Sequence, residues 1–359
     1  MNQNYTVGVI GSHSAEEVGM SARSNDFETL VVCQKGRDVL YTKYNDFLFT
    51  HKLVLDRFND LSKPENMEKL HNLNVIWFPN RSFSVYIDLN IIEDKKTFPI
   101  PIYGNRTMLG VEDRRSQYDL LDKANIRRPL EFNSPEEIDR LAIIKVQQKH
   151  KPLERAFFYA NSLREYENKR DGLIKDDIID DVDLKNAIIE EFVVGPRFNA
   201  NFQAYGLMDR YGRFDFVGFD DRIQMNLSGL LYLPAKDQLS LGNFSVTNEE
   251  IGHKGVTMRE SKKPLVYAAA KNFIEMSEKL FPPGIIGLFA LQGAINQEGE
   301  FIVFDISPRI PGSPCLGPTS PEMRRLSIKY KRAINSPLDL CMMDLREAIS
   351  SERVDEVTT

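Results

Sequence analysis

A doubly wound α/β domain followed by a larger α+β part with an antiparallel sheet is the fold class this sequence predicts, and three patterns carry it. Short apolar runs recur at βαβ spacing through the first hundred residues: YTVGVIG at 5–11, Thr29–Cys33, NVIWFP at 74–79 and FPIPIY at 98–103. Strands alternating with helical stretches build a parallel sheet. From Arg197 the segments FNANFQAY and FDFVGFD alternate apolar with polar residues, as antiparallel strands do. Finally, residues 284–314 contain two apolar runs separated by Glu298-Gly299, a hairpin signal.

Within the first region, Ser14 and Glu17 have the spacing of a capping box, so the run at 5–11 reads as a strand feeding a helix. Ligands of such sheets sit where the loops gather at the carboxyl ends of the strands. Three polar loops fall there, at Ser12-His13-Ser14, at 34–37 (QKGR) and at Asn80-Arg81-Ser82. Each taken alone reads as a capped turn. Together, a helix N-terminus beside basic side chains suits a phosphate ester.

Residues 113–126 read as a helix that Pro129 terminates, and Leu141–Val146 as a strand carrying Lys145. A charged linker, a helix near 161–170 and an acidic turn (DDIIDDVDL) follow, then a strand from Ile188 closed by Gly195. The acidic run reads as a solvated surface. Residues 263–281 give a helix with Leu265, Ala269, Phe273 and Met276 as its apolar stripe, ended by Pro282-Pro283. The tail from Leu340 holds a helix and a frayed SERVDEVTT end.

Composition narrows the function. The chain has 359 residues, long enough for two or three domains, with 42% apolar and 27% charged residues. A net charge of −6 argues against nucleic-acid binding, which needs a basic field. Cys33, Cys315 and Cys341 are too few and scattered for a disulfide framework or a zinc site. With neither a signal-peptide pattern nor a ~20-residue apolar span, a soluble cytoplasmic protein without membrane contact is expected.

The hairpin carries the most specific geometry. A two-residue turn at Glu298-Gly299 places Gln292 opposite Asp305, with Cβ atoms about 5 Å apart. Two oxygen-bearing side chains so placed could hold Mg²⁺ against nucleotide phosphates, although spacing alone also fits a cross-strand polar pair. Likewise, the strand ending in Glu190 and Glu191 could present backbone groups to adenine and a carboxylate to ribose.

Seven motifs, in one order along nearly the whole chain, resemble the archaeal formate-dependent phosphoribosylaminoimidazolecarboxamide ligase family of the ATP-grasp superfamily: SHSA at 12–15, QKGR at 34–37, YGNR at 103–106, PAKDQL at 234–239, MRES at 258–261, PPGIIGLFALQ at 282–292 and FDISPR at 304–309. The resemblance implies three parts: a doubly wound domain (1–122), a small ATP-grasp lid (123–195) and a large antiparallel subdomain (196–359), with ATP clasped between the last two. It implies formylation of the amine of an aminoimidazole carboxamide ribonucleotide (AICAR), with ATP, Mg²⁺ or Mn²⁺ as cofactors, small-molecule substrates and a homo-oligomer.

Residue by residue, the resemblance assigns His13, Ser82 and Asn248 to the ribonucleotide. Lys145, Glu190, Glu191, Phe192, Val193 and Gln224 go to ATP, and Gln292 and Asp305 to the metal. Arg309 would add positive field for the transferring phosphoryl group. Four departures from the family pattern stand out. No glycine follows Lys145 in VQQKHKPLERAFFYA, where Lys149, Lys151 or Arg155 could substitute charge for amides and Pro152 forbids the same loop. Gln224 replaces a glutamate, Asn80-Arg81 a His-Gly pair, and IPGSPCLGP follows Arg309. They leave open a ligase for another amine or acid, and a purine-nucleotide-binding protein with weakened turnover.

Overall fold

Strands buried on both faces must be apolar throughout, and the N-terminal sheet shows why these segments form it. β1 (Thr6–Ile10) is buried at every position, and β2 (Glu28–Gln34) is buried from Thr29 to Cys33. With β3 (His51–Leu55) and β4 (Val75–Trp77) they make a parallel sheet in the order β3-β2-β1-β4. The computed structural model describes residues 5–112, 114–148, 151–241, 250–312 and 316–359.

β3 was not anticipated, because as an edge strand it alternates exposed and covered residues instead of forming an apolar run. The expected strand at 98–103 is only an extended segment. It meets β4 through Trp77 N–H to Pro101 O (2.7 Å) and Tyr103 N–H to Trp77 O (2.9 Å), because Pro99 and Pro101 have no N–H to donate. The capping box at Ser14 is absent. Ser14 precedes the helix Ala15–Ser24 in a left-handed conformation with no cap bond, and Glu17 is buried, its pKa pushed up to about 8 by loss of solvent. The tail is not frayed: Val357 is fully buried, and Thr359 exchanges backbone bonds with Ile102 at 3.0 and 3.1 Å.

A second sheet, in the order β5-β8-β6-β7, comprises β5 (Glu131–Phe132), β6 (Ala142–Gln148), β7 (Lys151–Ala160) and β8 (Ile188–Glu191). The helix Leu163–Lys175 packs Tyr166 among Ile144, Phe158 and Ile189. Where a charged linker was expected, the chain forms β7, antiparallel to β6. Pro152 therefore lies in an edge strand, where its missing N–H is tolerated, not in a loop.

The third sheet runs β11-β10-β9-β12-β13, from β9 (Arg197–Ala204), β10 (Phe214–Gln224), β11 (Glu250–Val256), β12 (Gly287–Ile295) and β13 (Phe301–Ser307). Its aromatic core stacks Phe289 on Phe202 and on Phe273 of the helix Lys263–Leu280, each at 5.2 Å. That helix buries Val266, Ala269, Ala270, Phe273 and Ile274, leaving Leu265 40% exposed, so the stripe is rotated from the expected one.

The hairpin turn has three residues. Asn296 N–H bonds Glu300 O and Gly299 N–H bonds Asn296 O, both at 3.0 Å, and Gly299 sits at φ 82°. This is a type I turn closed by a bulge glycine. Near the turn the pairing is therefore one residue off the expected register. Farther along, Val303 N–H donates to Arg127 O (2.8 Å) and Ile306 N–H to Gln117 Oε1 (2.9 Å), both away from β12. Outward donors three apart break the two-residue repeat of a strand, so β13 is irregular between Val303 and Ile306.

The chain packs as two compact units. One comprises Met1–Ile126, Arg197–Gly293 and Asp305–Thr359, and the other Arg127–Pro196 with Ala294–Phe304. The N-terminal sheet and most of the five-stranded sheet thus share the first unit, a division different from the three parts drawn by resemblance. Among the described residues no helix is long and apolar enough to cross a membrane.

Because Phe289 stacks between two rings in a sealed core, Phe289→Ala is expected to cost about 3–5 kcal/mol, read as a lower denaturant midpoint at unchanged slope. An unaltered midpoint would contradict this packing.

Candidate active site

At the carboxyl ends of β1 and β4, fully buried Asn80 ties two loops together. Its Nδ2 donates to Ile10 O, Ser12 O and His13 O at 3.0, 2.9 and 3.1 Å, while its Oδ1 caps the helix Arg81–Tyr86 by accepting from Phe83 N–H. His13 is thereby held at φ 28°, and Ser82 lies buried in the first turn of the capped helix. Arg81, unexpected beside the serine, pairs with Glu112 at 2.6 Å. In the QKGR loop, Arg37 donates to Tyr86 Oη at 3.0 Å and stacks near Phe58, so this cation serves packing.

β10 and β11 supply a group that sequence reading missed. Arg222 pairs across the strands with His253, and Gln224 with Glu250. His253 Nδ1 lies 2.5 Å from Asp220 Oδ2 and its Nε2 lies 2.7 Å from Glu250 Oε1. Asp220, fully buried, also accepts from Asn199 (2.8 Å) and Asn201 (2.6 Å). Burial alone would lower the His253 pKa, but the bonds to Asp220 and Glu250 push it up to about 9. Burial would raise that of Glu250, yet polar contacts from His13 and His253 and the charge of Arg222 hold it well below the usual carboxylate range.

Arg222 links this group to the hairpin. Its Nε meets Glu250 Oε2 at 2.9 Å, and its Nη2 donates to Gln292 Oε1 at 2.6 Å and lies 3.9 Å from Asp305 Oδ2. Gln292 and Asp305 thus face one cation. Gln292 Nε2 donates onward to Ser307 Oγ at 3.0 Å.

Arg309, buried, lies 2.8 Å from Glu112, which therefore bridges it to Arg81. Ile310 N–H bonds Pro79 O at 3.2 Å, drawing this segment alongside the end of β4. Together His13, Arg222, Glu250, His253, Gln292 and Arg309 border a small polar cavity of about 30 Å³. Gly312 also borders it, and a Cβ there would lie 2.2 Å from His253 Nε2 and 3.0 Å from His13 Cε1. Gly312, three residues beyond Arg309, thus supplies the gap that the two imidazoles need.

In the second unit Lys145 and Glu190, both buried, form an ion pair across β6 and β8. Glu191 Oε2 accepts from Leu130 N–H at 3.4 Å, the Phe192 ring meets Tyr159 edge-on at 5.2 Å, and Val193 packs with Ala294 and Ile302. Gln224 belongs instead to the first unit, its N–H bonded to Ser228 Oγ at 3.0 Å. Asn248 and Lys149 lie outside the described residues, as do the side chains of Lys151 and Arg155. His253, five residues before the MRES motif, lies beside His13 with ring centroids 6.5 Å apart.

Two family models match the chain: a protein of unknown function (DUF1246) over residues 7–132, and a domain of unknown function (DUF1297) over residues 165–359. The chain is 35% identical over 308 residues to the 5-formaminoimidazole-4-carboxamide-1-(β)-D-ribofuranosyl 5'-monophosphate synthetase of Methanocaldococcus jannaschii, covering 86% of this chain and 82% of that one. It belongs to this synthetase family. The Methanosphaera stadtmanae synthetase is 30% identical over 362 residues, covering 99% of this chain and 95% of its own.

Among solved structures, the IMP biosynthesis protein PurP from Thermococcus kodakaraensis superposes with a TM-score of 0.70 at 19% identity, over 98% of this chain and 100% of that one. An ADP complex of N5-carboxyaminoimidazole ribonucleotide synthetase superposes with a TM-score of 0.59 at 12% identity, over 88% and 72%. These two likenesses speak to fold: a parallel-sheet domain joined to an ATP-grasp architecture, as the synthetase family was expected to have.

The imidazole–carboxylate group predicts a pH dependence of stability. His253 is raised from 6.5 to about 9, so its contribution is complete below pH 6.5 and lost as pH rises through about 9. Glu250 is depressed from 4.5, so its contribution is complete above pH 4.5 and lost on acidification through its lowered value. Between pH 6.5 and 9 the unfolding free energy should fall by on the order of 3 kcal/mol, measured by urea titration at each pH. His253→Gln should lack that decline, and a slope it shares with the parent protein would exclude His253 as the source.

Proposed function

We propose that the protein is an ATP-dependent carbon–nitrogen ligase that joins formate to the amine of AICAR, as the names of its relatives suggest. The observation that carries this reading is the convergence of Gln292 Oε1 and Asp305 Oδ2 on one positive nitrogen, that of Arg222, which with Gln292, His13 and Arg309 borders the cavity. An amide and a carboxylate oxygen suit Mg²⁺ or Mn²⁺, which are hard cations. Among the described residues no group of three or more His, Cys, Asp or Glu side chains could hold a metal. Nucleotide oxygens and water would therefore complete the coordination, as Mg²⁺ commonly requires.

The chemistry divides into two displacements. A formate oxygen attacks the γ-phosphorus, the bond to ADP breaks, and formyl phosphate results. The amine then attacks the formyl carbon and phosphate leaves. A bound Mg²⁺ would neutralise charge on the transferring phosphoryl group. Arg309 and Arg222 contribute fixed positive charge to the cavity, while His13 and Ser82 would position the ribonucleotide. The segment Glu190–Val193, which continues past the end of β8, would receive the adenine, with Lys145 and Gln224 serving the nucleotide. Homo-oligomeric assembly and a cytoplasmic setting belong to the same proposal.

One observation favours a second reading, a purine-nucleotide-binding protein with weak or no turnover. The segment after Lys145 contains no glycine and pairs as β6 and β7, and Lys145 is committed to Glu190. Incubating the purified protein with ATP, Mg²⁺, formate and AICAR separates the two. The ligase yields ADP and formylated nucleotide in equal amounts, and omitting either formate or AICAR stops the formylated product. Nucleotide binding without any ADP supports the second reading, and ADP formation that demands a different amine identifies a different substrate.

A further inference from the structure

The ligase reading leaves a proton to be placed. When a neutral amine attacks the formyl carbon its nitrogen becomes positive, and the amide forms only after an N–H proton departs. A group able to accept that proton must border the cavity. Arg222 and Arg309 have no lone pair to offer. Both nitrogens of His253 are engaged, one by Asp220 and one by Glu250. Glu250 receives His253 at 2.7 Å and Arg222 at 2.9 Å. His13 differs: its Nε2 lies 3.6 Å from Glu250 Oε1, and among the described residues its Nδ1 makes no hydrogen bond.

These four side chains also form an ordered series. Side-chain exposure rises from 1% at Asp220 through 7% at His253 and 24% at Glu250 to 33% at His13. A buried acid thus fixes an imidazole, the imidazole fixes a second acid, and that acid faces an imidazole open to the cavity. Asn80 fixes the other end by holding the His13 carbonyl, at a backbone angle that non-glycine residues rarely adopt unless the surroundings impose it.

We propose that His13 is the general base of the second step, with Glu250, His253 and Asp220 as positioning residues behind it. The assignment rests on the ligase reading. The amine lone pair forms the C–N bond to the formyl carbon, and the C–O bond to phosphate breaks with its electron pair leaving on phosphate. The N–H proton moves to His13 Nδ1 while Nε2–H faces Glu250, and solvent then takes it from the imidazolium. An imidazole can accept a proton at one ring nitrogen while the other keeps its N–H.

The two steps can be read separately in the full-length enzyme. Hydroxylamine traps formyl phosphate as formohydroxamate, which reports the first step, and formylated AICAR reports the second. His13→Gln should keep the trapped first step within about threefold of wild type. It should lose about 100-fold or more in kcat for AICAR formylation and recover part of that loss with added imidazole. Glu250→Gln should lose about tenfold in the same step. Melting curves of both variants show whether they are folded.

A folded His13→Gln enzyme with a raised KM for AICAR, unchanged kcat and no imidazole rescue overturns the base assignment in favour of a binding role. Equal loss of both steps overturns it too. Wild-type protein that yields neither formohydroxamate nor formylated product instead overturns the ligase reading, and the base with it.

Discussion

The guanidinium of Arg222 is the contact on which the cavity depends. From β10 it reaches Glu250 on β11, Gln292 on β12 and Asp305 on β13, joining four strands through one charge. Glu250, Asp305 and Asp220 bring three carboxylates to this end of the sheet, and unpaired acids there would repel one another and resist desolvation. Arg222 and protonated His253 offset that cost. A cation is therefore part of the resting structure at the place where the ligase reading puts a metal ion, and nucleotide binding would require the guanidinium to yield its oxygens.

Around that centre, backbone features do the positioning. Asn80 caps one helix and holds the His13 loop with the same side chain, so the Asn-Arg pair that looks foreign to the family has a structural purpose. Arg81 becomes a surface partner of Glu112, which also reaches buried Arg309. Gly312 gives the two imidazoles space that any Cβ would fill. Three of the four departures in sequence thus become intelligible in the first unit: Gln224 pairs across the strands with Glu250, and the other two shape the loops. The fourth lies in the second unit, where β6 and β7 pair antiparallel along the segment that follows Lys145.

The parallel sheet was legible wherever strands are buried on both faces, because burial forces an unbroken apolar run. It was illegible at β3, whose alternating exposure resembles a loop, and at 98–103, where prolines remove the donors of an otherwise convincing strand. The hairpin was visible, but its register was not. A three-residue turn and an irregularity between Val303 and Ile306 intervene, and neither leaves a clear mark in composition. Gln292 and Asp305 nevertheless reach the same guanidinium.

The Asp220–His253–Glu250 group escaped notice because its members meet only across strands. The retrospective signal is the alternation of Asp220, Arg222 and Gln224 along one strand, opposite Glu250 and His253 on the next. Local motifs report what a loop can do. Cross-strand chemistry appears only once register is known.

Whether those converging oxygens accept a metal ion is the central question. Electron paramagnetic resonance titration of Mn²⁺ in the presence of ATP, on the parent protein and on Asp305→Asn, answers it directly. The account predicts binding weaker by about tenfold or more in the variant, with an unchanged melting temperature. Equal Mn²⁺ affinity in two equally stable proteins would contradict it.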